Sequence, residues 1–141
     1  MNTIHIPRLF LVLILAGAFA SCQDKPDSTQ IAHEENEKSL DTRSAERDAQ
    51  FVVNEVSAGY AIVDWTTPVV KVNEHRDLRD MAFRLQREHM RLVGKWKAYA
   101  EKKNILVPDS SVGGVKQRVK DFSEQNQDSV RLKFWVDEML D

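Results

Sequence analysis

A chain of 141 residues with 20 Lys+Arg, 22 Asp+Glu and a formal net charge of −2 has the size of one domain and lacks the basic balance of a nucleic-acid binder. Its one cysteine, Cys22, excludes an intrachain disulfide and any cysteine-rich zinc site. No phosphate-binding glycine loop, nucleophile elbow or paired-histidine metal motif occurs, so neither a catalytic activity nor a cofactor is expected from motifs.

The first eight residues are polar with Arg8 as the fixed charge, and an apolar run from Leu9 to Ala20 follows. Twelve residues at about 1.5 Å each reach only ~18 Å, short of a ~30 Å hydrocarbon core, so the run reads as a cleaved signal and not as a spanning helix. Two cleavage sites compete. Ala18-Phe19-Ala20 suits the ordinary signal peptidase, whereas Phe19-Ala20-Ser21-Cys22 has the form of a bacterial lipobox. The sole cysteine falls where a lipobox needs it, which makes residues 1–21 a lipoprotein signal peptide and Cys22 the lipidated residue. Several acyl chains there anchor stably, since each buried CH₂ contributes about 0.8 kcal/mol. Gln23, not Asp, follows the cysteine, which under enterobacterial sorting rules favours the outer membrane.

Residues 22–40 show no sustained apolar period and read as a flexible tether, reaching ~60 Å when fully extended. The bundle domain then occupies 41–141. Asp41-Thr42 caps a first helix. Phe51, Glu55, Ala58, Ile62 and Trp65 recur at spacings of 4, 3, 4 and 3, widened by Val52, Val56, Gly59 and Val63. Pro68 predicts a stop or a kink near Thr66.

Asn73 is the cap expected for a second helix, whose stripe is Leu78, Met81, Ala82, Leu85, His89, Leu92, Val93, Trp96 and Tyr99. It ends near Asn104, and Ile105-Leu106-Val107-Pro108 turns the chain. Ser110 or Ser111, or a later residue past Gly113-Gly114, opens a third helix with Val115, Val119, Phe122, Asn126, Val130 and Phe134 as its stripe. The fold expected is all-α, an antiparallel three-helix bundle.

One polar residue interrupts each apolar stripe. Folding the first helix back on the second about residue 70 sets His89 level with residue 51, about a turn from Glu55. Folding the third back about residue 107 brings Asn126 to the same level. Glu55, His89 and Asn126 therefore form a hydrogen-bonded structural layer or a metal or proton site, or else are surface residues out of register. Charge is also uneven: residues 84–103 hold seven bases against two acids. Arg84, Arg87, Arg91 and Lys95 recur on the outer face of the second helix, reading as a solvated surface or as contact with an anionic one, such as lipid head groups.

Asp48 and Phe51, then Leu78, Met81-Ala82, Leu85, Glu88-His89, Ala100, Ile105 and Val107-Pro108, together resemble the bacterial "domain of unknown function 4142" family. Its pattern runs Asp-x-x-Phe, later Phe-Ala-x-x-Met-x-x-Asp-His, then an alanine and an apolar-x-apolar-Pro turn. Trp135 and Met139 fall at its following aromatic and methionine positions, and the resemblance covers residues 48–141. It implies an outer-membrane or periplasmic protein with a ferritin-like four-helix bundle, here incomplete because the chain stops at Asp141 before the last helix. Ferritin-like relatives that hold two irons use Glu-x-x-His, but Gln86 stands at that glutamate position and Ile62 where the family's first helix has its own.

The excess apolar surface of the third helix fits an absent neighbour. Val130 and Phe134 lie on one side, and Leu132, Trp135, Val136, Met139 and Leu140 on the adjoining one. Three helices cover only one of them, so an exposed groove is expected, filled by a second copy or a protein partner. The function expected is that of a membrane-anchored envelope lipoprotein whose helical domain works by interaction, with a ferritin-like metal-binding or redox role as the alternative.

Overall fold

The computed structural model describes residues 26–71, 76–124 and 135. Among them are four helices and no strand: α1 (Ser28–Ser39), α2 (Arg43–Lys71), α3 (Arg76–Lys103) and α4 (Val115–Glu124). The fold is an all-α helical bundle. Its centre is α2, which packs against each of the other three helices.

The first helix corrects the expected tether. Asp27 accepts a hydrogen bond from the Gln30 backbone N–H (2.9 Å), while the Gln30 side chain accepts from the Asp27 N–H (3.1 Å). This reciprocal capping box satisfies two donors that a helix start otherwise leaves open. The face that α1 buries is Thr29, Ala32 and Asn36, spaced 3 and 4 apart, two of them polar. A small, polar buried face gives no hydrophobic period, which is why residues 22–40 read as unstructured.

Thr42 caps α2, its Oγ1 accepting from the Ala45 N–H at 3.2 Å. Of the stop or kink expected near Thr66, the stop does not occur: α2 continues through Pro68 to Lys71. A proline inside a helix costs about 3 kcal/mol, because the carbonyl four residues back loses its donor and meets the ring. Burial offsets that cost. Trp65 and Val69, on either side of Pro68, are 5% and 6% exposed, and each apolar side chain so buried contributes about 1.5–3 kcal/mol. The loosened turn is also stitched by hydroxyls: Thr66 Oγ1 donates toward Ile62 O (2.8 Å) and Thr67 Oγ1 to Val63 O (2.7 Å).

At its far end α3 closes in a Schellman arrangement. Asn104 adopts φ 55°, the Ile105 N–H reaches Ala100 O (2.9 Å) and the Asn104 N–H reaches Glu101 O (3.3 Å). Ile105 and Ala100 are both buried there. The chain does not then turn straight into a third antiparallel helix. Residues 105–114 run without helix along α2, bonded to Asn36 through Leu106 and to Asp64 through Ser111. Gly114, at φ 88°, turns the chain into α4.

Two apolar cores result. Ala49, Val52, Val56, Val93, Ala100 and Ile105 form one; Trp65, Val69, Ala82, Val115, Phe122 and Trp135 form the other. Around Asn54 and Ser57, α2 is covered by α1; around Trp65 and Val69 it is covered by α4. The two short helices lie one after the other along the long one.

Candidate functional site

The expected polar layer is not assembled. Glu55 is exposed, His89 is half-buried, and Asn126 lies outside the described residues. Two errors of register explain this. Because α2 does not stop at Pro68, the fold-back between α2 and α3 falls about five residues later than 70. Thr67 meets Gln86 (3.0 Å), Phe51 stacks edge-on against Trp96 (5.4 Å), and Gly59 lies against His89 and Val93. His89 is thus level with residues near Gly59, two turns from residue 51. The buried face of α2 is also rotated, running through Val52, Val53, Val56, Ser57 and Gly59 and not through Phe51, Glu55 and Ala58. Phe51 itself is 53% exposed.

Among the described residues no group of three His, Cys, Asp or Glu side chains comes together in a way that could hold a metal ion. His33, assigned by sequence to the tether, instead bonds through Nε2 to Asn54 Oδ1 (3.1 Å) across the α1–α2 interface. Cys22 lies outside the described residues, and no described helix is long and apolar enough to cross a membrane.

A polar seam holds α1 in place. The Asn36 carboxamide donates to Leu106 O and accepts from the Leu106 N–H, both at 2.7 Å. Asp27 accepts from the Gly113 N–H (2.6 Å) as well as from Gln30, and these bonds hold its carboxyl below the usual carboxylate range. Thr29 bonds Ser57 (3.0 Å), and Ser28 bonds Ser110 (2.9 Å).

The basic residues of α3 stand as expected: Arg84, Arg87, Arg91 and Lys95 are all exposed. Arg91 is held by Glu88 at 3.0 Å, and Arg84 Nε leans toward its own helix at Asp80 O (3.4 Å). Two apolar side chains share this outer surface, Phe83 at 52% and Met90 at 47% exposure. Sequence reasoning missed them. The available signal was their seven-residue spacing, two turns along one face, with Arg84 and Arg87 between them and Arg91 next.

The C-terminal segment departs from expectation at the one place where it is described. Trp135 is 2% exposed, not part of an open groove, and its Nε1–H donates to Trp65 O at 3.1 Å. Leu132, Val136, Met139 and Leu140 lie outside the described residues.

No family model, curated protein or solved structure matches this chain.

Proposed function

We propose that this chain is a lipid-anchored protein of the bacterial cell envelope whose helical domain works by binding rather than by catalysis. The observation that carries the reading is the lipobox-like Phe19-Ala20-Ser21-Cys22 at the end of an apolar run too short to span a bilayer. The exposed basic face of α3 agrees with a binding role. In this reading the docking of α1 shortens the tether. From Cys22 to Asp27 there are five residue steps, a reach of about 17 Å and not ~60 Å, so the domain works close to the leaflet that holds it.

Replacing Cys22 with Ala tests this. The variant should leave the membrane fraction and lose fatty-acid labelling, and unchanged membrane partitioning would overturn the reading.

A further inference from the structure

We propose that the outer face of α3 is a membrane-docking surface, inserting Phe83 and Met90 between the head groups of an anionic phospholipid leaflet while Arg87 and its neighbours hold the phosphates. This inference rests on the lipid-anchored reading above and names the partner of the basic face.

Phe83 and Met90 are separated by seven residues, about 10.5 Å along one side of the helix, and both are about half exposed. On a monomer's surface such a pair, flanked by cations, is what an interfacial helix presents, with apolar tips for the acyl boundary and guanidinium groups for phosphate. Arg87 lies between them in sequence and is exposed. Asp77 and Asp80 share the hollow beside Phe83 with Arg84 and Arg87, and Glu88 pairs with Arg91, yet residues 76–103 remain net positive with nine bases against four acids. Gly94, one turn beyond Met90, has nothing within 4 Å of the position its Cβ would take, so the face continues open.

Charge complementarity selects the occupant. A second copy of this surface would set arginine against arginine, whereas an anionic leaflet attracts every base in the stretch.

Met81 supplies an internal control. It is 39% exposed but nine residues from Met90, half a revolution round the helix. The full-length protein, extracted from membranes and checked by intact mass for acyl chains on Cys22, is reconstituted into phosphatidylcholine vesicles with or without phosphatidylglycerol and treated with peroxide. Methionine oxidation follows exposure, so the anionic vesicles should slow sulfoxide formation at Met90 by roughly tenfold and leave Met81 unchanged. Added salt should weaken the protection. Phe83→Ser with Arg87→Glu should abolish it without releasing the protein. Equal rates at Met90 on both vesicles, or equal protection of Met81, overturn the proposal, as does protection by a soluble polyanion but not by vesicles. Absence of acyl chains on Cys22 would instead overturn the anchored reading, and is read separately.

Discussion

Asn36 grips Leu106 through both ends of its carboxamide, donating to the carbonyl and accepting from the N–H at 2.7 Å each, across seventy residues of sequence. The side chain imitates the peptide group of a neighbouring strand, and it satisfies a stretch of backbone that has left α3 and not yet entered α4. Asn36 is 3% exposed, so water cannot readily take its place. Asn36→Ala should destabilise the fold by about 2–3 kcal/mol, the sum of two lost bonds and a poorly solvated peptide group. Asn36→Asp should fare no better, because a carboxylate cannot donate to Leu106 O. Urea unfolding measures the loss. Hydrogen exchange should show it first in α1, and an unchanged midpoint would count against the clamp.

Gly59 and Gly94 give opposite results with the same substitution. A Cβ on Gly59 would lie 2.5 Å from Val93 Cγ2, a stiff, buried, β-branched side chain. Gly59→Ala should therefore cost about 1–3 kcal/mol as overpacking between α2 and α3, despite alanine's better helix propensity. Adding Val93→Ala removes the clashing methyl groups, so the double variant should lose less than the two single losses added together. Gly94 is also inside a helix but faces open space, and Gly94→Ala should stabilise by about 0.5–1 kcal/mol. Thermal melts of the four variants against the natural protein decide the matter.

What the sequence made legible was the part governed by apolar period. The end of α3 near Asn104 and the Val115, Val119 and Phe122 face of α4 follow from spacing alone. The helix α1 was hidden because Thr29 and Asn36 are buried for hydrogen bonding, not hydrophobicity, although Asp27-x-x-Gln30 carried its start signal. The Glu55–His89 layer failed for a physical reason. Pro68 has a local preference to end a helix, and burial of Trp65 and Val69 outweighs it. A five-residue error in the fold-back then moves facing positions by about ten residues. The exposure of Phe83 and Met90 was equally hidden, because spacing places them on a face without saying whether another element covers it.

Acid should loosen α1 before it unfolds the bundle. The Asp27 carboxyl is held below its ordinary value of 3.8, chiefly by the bond from the Gln30 N–H and next by that from the Gly113 N–H. A carboxyl depressed in the folded state adds stability that is fully present above its unfolded value and is lost as pH falls through the folded one. His33 is the positive group that also acts on it. The window thus opens near pH 3.8 and extends below it. Exchange of α1 amides should accelerate across that range in the natural protein. Asp27→Asn, which keeps one acceptor but no charge, should show faster exchange at neutral pH and a flatter acid dependence. A parallel pH profile for both proteins would remove Asp27 from the account.

Trp135 tests whether the C-terminal segment belongs to the fold. Its ring is buried with Trp65, Val69, Ala82, Val115 and Phe122, and its indole N–H bonds the Trp65 carbonyl at 3.1 Å. Trp135→Phe keeps most of the apolar volume and loses the donor, so it should cost about 1 kcal/mol, rising toward 3 if the carbonyl is left dry. Trp135→Ala empties the site and should cost about 3–5 kcal/mol. The order matters more than the values. Pro68 removes the donor to Asp64 O and not to Trp65 O, so replacing Pro68 with Ala should leave both Trp135 penalties unchanged. Denaturant midpoints of the single and double variants show this directly. Equal, small effects for both Trp135 variants would mean that the residue adds little to the core it occupies.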